Sequence, residues 1–153
     1  MNAQRLCDDL MLAIATNSLD IVTEILSDPT LDVNLPDSRG HSPLVIACAY
    51  GRLEISRALV NRKADVSFQV PTTRTTPLQL AASNGFVDLV EFLLSHGADR
   101  GSRDHSGSTA AEYAEMQPQV QMDTGIASER SEIADERLSE MRRSCFKLLN
   151  PHI

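Results

Sequence analysis

The chain has 153 residues, 42% of them hydrophobic but only 4% aromatic, and a formal net charge of −7. That length and composition suit one domain built on small and aliphatic contacts rather than on a large aromatic core. The acidic balance argues against nucleic acid as a partner, because polyanion affinity comes mainly from Lys and Arg neutralising phosphates. No run approaches the roughly 20 apolar residues of a membrane span, and Met1 to Arg5 lead into Cys7, Asp8 and Asp9 rather than an apolar signal core. Cys7, Cys48 and Cys145 are odd in number and far apart, with no metal-like pairing. The expectation is a soluble, unprocessed, monomeric chain with reduced thiols, cytoplasmic, with the nucleus as an alternative, and without a membrane partner.

In chain order, Leu10 to Ile14 begin a short helix, Asn17 takes the turn, and Leu19 to Val22 with Ile25 and Leu26 give a second apolar helix that closes on Asp32-Val33-Asn34. Polar Gln4, Arg5, Asp8 and Asp9 precede it, as the outer end of a stack requires. The next stretch repeats the plan: Asp37, Gly40, Ser42-Pro43-Leu44, Ala47, Gly51, Leu53, Ile55, Leu59-Val60 and Ala64-Asp65. Lys63 replaces the closing glycine, so an adjusted corner is expected there.

The third stretch is the clearest. Thr76 caps a helix with its hydroxyl, Pro77 fits the first helical position, and Gln79 completes a capping box. Ala81 and Ala82 keep one face thin, Gly85 supplies the positive φ that ends the helix, and Leu89, Val90, Leu93 and Leu94 form the apolar stripe of a second helix ended by Gly97. Its opening turn, Val70 to Arg74, is atypical, with Pro71 in place of Asp and Arg74 in place of Gly.

A fourth stretch opens with Asp104, Gly107, Thr109, Glu112 and Ala114, and Thr109 and Glu112 offer another capping box. Then Pro118 occupies the turn-glycine position, and the leucine pair due near residue 127 arrives at Leu148-Leu149. The spacing predicts a polar insertion near 117–127 and a long helix from about Ser128 to Leu149, striped by Ile133, Ala134, Leu138, Met141, Cys145 and Leu148. Acids lead (Glu129, Glu132, Glu136) and bases follow (Arg142, Arg143, Lys147), as the helix dipole favours. A C-terminal cap is the expected role.

Ala13, Ala47, Ala81 and Ala114 are separated by 34, 34 and 33 residues. With these motifs and this period, the chain resembles the ankyrin repeat family. The resemblance implies an all-α solenoid of stacked helix pairs, one domain over 1–153 with units at about 4–36, 37–70, 71–103 and 104–153. It also implies a non-catalytic module, an adaptor or scaffold, that binds a protein segment through its loop tips and the concave face of its short helices. The alternative is an inhibitor or regulatory subunit docking on an enzyme, as the four-unit ankyrin inhibitors of cyclin-dependent kinases do; that analogy rests on size and fold.

Carried over residue by residue, the loop-tip positions are Ser38, Arg39 and His41, then Thr72, Thr73 and Thr75, then His105, Ser106 and Ser108. The helix ends facing the groove are Ala49-Tyr50, Ser83-Asn84 and Met116-Gln117. Arg39, Arg74, Arg100 and Arg103 fall on or beside the tips with His41 and His105, a basic ridge suited to an acidic or phosphorylated partner segment; the alternative is a set of solvated loop arginines. Asp37, Asp65, Asp99 and Asp104 take positions the family uses for turn contacts. Tyr50 and Phe68 are candidate aromatic anchors, against the alternative of local packing.

Leu26, then five residues, then Asp32-Val33-Asn34 resembles the acceptor sequence of the asparaginyl hydroxylase that acts on many ankyrin domains, which would make Asn34 the acceptor. The alternative is a turn asparagine bonded to its own loop. Catalysis finds no support. Asp37-Ser38-His41 and Asp104-His105-Ser106 lack a nucleophile elbow, His41, His96, His105 and His152 lack metal-ligand spacing, and no glycine-rich phosphate loop is present. No cofactor is expected.

Overall fold

The computed structural model describes residues 3–116 and 129–152, and among them there are eight α-helices and no strand. They fall into four pairs: α1 (Ala3–Ala15) with α2 (Leu19–Leu26), α3 (Pro43–Ala49) with α4 (Leu53–Asn61), α5 (Pro77–Ser83) with α6 (Val87–Ser95), and α7 (Ala110–Glu115) with α8 (Glu129–Leu149). The insertion expected near 117–127 lies outside the described residues.

The short first helices begin where their caps place them. The Val45 N–H donates to Ser42 Oγ (3.3 Å), and Pro43 follows at the first turn. At α5 the capping box is reciprocal: Gln79 N–H donates to Thr76 Oγ1 (3.2 Å) and Thr76 N–H donates to Gln79 Oε1 (2.8 Å). Thr109 and Glu112 repeat it at α7, the Thr109 N–H reaching Glu112 Oε2 at 2.6 Å. α1 has no such start and extends to 13 residues, about twice its counterparts. Its extra turn buries Leu6 and Cys7, and the Cys7 thiol donates to the Leu35 carbonyl (3.3 Å), while Arg5, Asp8 and Asp9 stay exposed as a polar end.

Asn17, Gly51 and Gly85 end the first helices at φ of 57°, 67° and 70°. Lys63 does not adjust its corner. It keeps the left-handed geometry at φ 68°, and the following amide, Ala64 N–H to Leu59 O (3.0 Å), matches Ala98 N–H to Leu93 O (3.0 Å) in the next unit, where glycine stands. Arg74 likewise sits at φ 59° where Gly40 and Gly107 stand in other units. The turn bonds hold both residues in a conformation that costs an L side chain about 1 kcal/mol or more.

The first helices pack closely in series, α1 on α3 on α5 on α7; α2 touches α4 less, and α4 and α6 touch little, so the stack bends with its first helices inside. A continuous core of Leu10, Ile14, Leu44, Leu59, Leu78, Leu89 and Leu93 runs through it. Each unit also covers the turn of the one before. The Phe86 ring lies over Gly51, where a Cβ would stand 2.7 Å from it, and α8 covers Gly85, where a Cβ would meet Met141 Cβ at 3.2 Å and Leu138 Cδ1 at 3.3 Å.

α8 therefore caps the stack, packing on α5, α6 and α7. Its deepest side chains are Cys145 and Leu149; Leu148, placed on the apolar stripe by spacing, is only half-buried, and Met141 is 40% exposed. The side chains of Ile133 and Ala134 lie outside the described ones.

Candidate partner-binding surface

The acids of the turns are structural, as expected. Asp37 Oδ1 accepts the N–H groups of Arg39 (2.9 Å) and His41 (2.8 Å). Burial pushes its pKa up, but those two bonds and the charges of His41 and Arg39 outweigh it and leave the carboxyl below its ordinary value. Asp104 is more firmly held: Tyr113 donates its hydroxyl to Oδ2 (2.6 Å), and Ser106 Oγ (2.7 Å) and Ser108 N–H (2.8 Å) reach Oδ1. The Tyr113 bond above all, with the serine bonds opposing burial, brings its pKa down to about 2. Asp65 and Asp99 hold the second-helix turns through Ser67 N–H (2.8 Å) and Gly101 N–H (2.9 Å).

Unit three forms its tip without an acid. Val70 N–H donates to Thr75 O (3.0 Å), one residue further along than Asp37 N–H to His41 O (2.9 Å) or Asp104 N–H to Ser108 O (3.1 Å), so this turn is longer by one. Thr73 takes the acid's place, accepting the Thr75 hydroxyl (2.8 Å) and amide (3.3 Å). Thr75 is consequently buried, which corrects its assignment to the partner surface. The tips of units three and four are joined by His105 N–H to Thr73 O (2.8 Å).

The remaining tip residues Ser38, Arg39, Thr72, Thr73, Arg74, Arg103, His105 and Ser106 are exposed, with His41 and Ser108 half-buried. Their arginines are engaged within their own turns. Arg39 Nε lies 3.5 Å from Asp37, Arg74 donates from Nε and Nη2 to Gln69 Oε1 (3.4 Å each), and Arg103 donates to the Gly107 carbonyl and stands 4.0 Å from Glu112. Phe68 is half-buried rather than projecting.

The concave side is different in kind. Tyr50 is 55% exposed, and the Arg52 guanidinium lies 5.9 Å from its ring centre while donating to the Ala15 carbonyl of the preceding unit (3.3 Å). Ser83 and Asn84 are half-buried; Asn84 Nδ2 donates to Leu80 O (3.0 Å) and reaches Ala49 O at 3.5 Å. Beside them runs a row not identified from the sequence: Leu12, Ile46, Leu80 and Tyr113, each one position before the repeat alanine. Leu12 is 65% exposed and the other three are half-buried. Met116 is 53% exposed at the far end. The signal was available, since these short helices already bury Leu10, Leu44 and Leu78, so an apolar residue two places on makes a second apolar face.

Asn34 bonds its own loop through its N–H, which donates to Asp32 Oδ1 (2.9 Å), and joins two units through its side chain. Its Nδ2 donates to Lys63 O (3.3 Å) and its Oδ1 accepts the Asp65 N–H (2.8 Å). Gln79 does the same deeper in the stack, fully buried, with Nε2 donating to Ser108 O (2.7 Å) and Ser102 O (3.1 Å). Burial raises the Cys48 thiol to about 12 and the Cys145 thiol to about 11, so neither is a nucleophile near neutral pH. Among the described residues no cluster could hold a metal ion, and no helix is long and apolar enough to cross a membrane.

The ankyrin repeats sequence model, three copies long, matches residues 10–104. The chain belongs to the ankyrin repeat family. The chain matches each of the following curated proteins over part of that protein's length. It is 37% identical over 107 residues to zygote-specific protein 3 of Chlamydomonas reinhardtii, covering 70% of this chain and 28% of that protein. It is 35% identical over 85 residues to SMC5-SMC6 complex localization factor protein 1 of Bos taurus (56% and 8%). With ankyrin repeat and SAM domain-containing protein 6 of Mus musculus it shares 32% over 102 residues (67% and 12%). The chain thus spans less than a third of each of these relatives. Ankyrin repeats in general mediate protein–protein interaction and are non-catalytic, and the family match ends where unit four, with its late second helix, begins.

Proposed function

We propose that this chain is a non-catalytic adaptor or scaffold that holds a partner protein's segment along the concave face. The observation that carries this reading is the apolar row Leu12, Ile46, Leu80 and Tyr113, flanked by Tyr50 and Met116, which crosses all four units on one side. Leu12 is exposed, and Ile46, Leu80 and Tyr113 are half-buried, so each keeps part of its side chain at the surface. Apolar and aromatic anchors on a rigid support carry most of the energy of an interface. Tyr50 is braced by Arg52 and Tyr113 by Asp104, so both are ordered before a partner arrives. The loop tips set register and exclude competitors; Asp37 and Glu112, close to Arg39 and Arg103, offset part of the charge these arginines present to an acidic or phosphorylated segment.

The test is photo-crosslinking in cells with benzoylphenylalanine placed at Leu80 on the concave face or at Glu91 on the outer helix α6. A discrete protein adduct from position 80 and none from 91 is expected. Adducts from 91 alone would remove the concave face from the account.

A further inference from the structure

We propose that the distal end of the stack carries a second docking site, separate from the concave face, for an acidic partner segment with a large apolar anchor. Between α7 and α8 lies a cleft of about 410 Å³ lined by Ala114, Glu115, Ser139, Arg142, Arg143, Phe146 and Lys147. Cys145 and Leu149 point into the stack, and the cleft belongs to the next face of α8 round from them. Ala114 and half-buried Phe146 make an apolar floor, and the cationic side chains form the wall. A cavity of this size accepts a large apolar side chain.

The last turns of α8 carry a charge opposite to that of the whole chain. Residues 137–152 hold Arg137, Arg142, Arg143 and Lys147 against a single acid, Glu140, in a chain of net charge −7. Arg143 and Lys147 are exposed, as the loop arginines are, but unlike them have no hydrogen-bond or ion-pair partner among the described residues, and they stand one helical turn apart on the same face. A short acidic segment seated in the cleft meets these cations with one lining acid, Glu115, at the α7 side. An extended polyanion, such as a duplex or an anionic bilayer, also meets the acids around them and is repelled.

The experiment is selection of a displayed library of random peptides on the full chain, followed by fluorescence anisotropy of the selected peptides against the full chain and against Arg143→Glu/Lys147→Glu. The expected result is enrichment of acidic peptides bearing an aromatic or leucine. Their affinity should fall about tenfold or more in the double variant and with rising salt, while Leu80→Asp leaves it unchanged. Slow thiol labelling of Cys145 in the double variant verifies that α8 is still docked. The proposal is overturned if selected peptides are neutral or basic, if they bind the double variant equally, or if phosphatidylserine vesicles or duplex DNA bind instead. It is overturned equally if sedimentation shows the chain associating with itself through Arg143 and Lys147, which would make a second copy the occupant.

Discussion

Units three and four begin alike and end differently. Both open with a threonine-based capping box, at Thr76 with Gln79 and at Thr109 with Glu112, and both place a repeat alanine in the core. In unit three the second helix follows after a short turn and buries Leu89, Val90, Phe92 and Leu93. In unit four it starts at Glu129, runs 21 residues, and among its described side chains buries only Cys145 and Leu149 deeply. The start of a unit is thus a local matter of caps, whereas its completion depends on a surface offered by the neighbour: α8 settles where Gly85 leaves room for Leu138 and Met141. The inner unit is held on two sides and the terminal one on one.

That asymmetry can be broken on purpose. Leu93→Ala removes a fully buried side chain from the middle of the stack, and a loss of about 4 kcal/mol in urea unfolding is expected. Leu149→Ala should loosen α8 while α1 to α6 remain folded, seen as faster thiol labelling of Cys145 with Cys48 still protected. Simultaneous exposure of both thiols would show that the stack has no separable end.

The two capping boxes give a sharper contrast. Gln79→Ala strips three bonds from a fully buried site, including the one to Ser108 across the unit boundary, and should cost about 3 kcal/mol. Glu112→Ala, at an exposed cap, should cost much less, and equal losses would refute a boundary role for Gln79. Acid then singles out unit four. Asp104 is held at about 2, below its ordinary value of 3.8, so the stability it contributes is complete above about pH 4 and is lost as pH falls towards 2. Tyrosine fluorescence should show that transition, and Asp104→Asn should flatten it. The smallest effect is at the corners: Lys63→Gly should stabilise by about 1 kcal/mol, whereas Gly97→Lys, with open space around its Cβ, should destabilise by a similar amount. A Lys63→Gly variant no more stable than the parent would mean the lysine side chain contributes contacts of its own.

Much of the fold could be read from residues because its signals are local. Thr76-Pro77-Leu78-Gln79 states a helix start, Gly85 and Asn17 a turn, and the alanine spacing a stack. What sequence reading missed depends on distant groups. Gln79 bonds carbonyls 23 and 29 residues away, and Asn34 clamps the turn of the next unit. Lys63 and Arg74 keep left-handed backbone because the surrounding turns demand it, which their side chains do not announce. At the surface, residue type gave the charge of Arg39 and Arg103 but not that their own turns engage them, and it placed Thr75 at a tip although Thr73 draws it inward. The apolar row went unnoticed because each member resembles ordinary helix filling until four units are aligned.

The most direct measurement is the affinity of the crosslinked partner, once recovered, for the intact chain, for Leu80→Asp and for Arg39→Ala/Arg103→Ala, by calorimetry. Binding through the concave row predicts that Leu80→Asp weakens affinity about a hundredfold while the loop variant stays within about threefold. The reverse order, with the arginine variant losing binding and Leu80→Asp retaining it, would contradict the account.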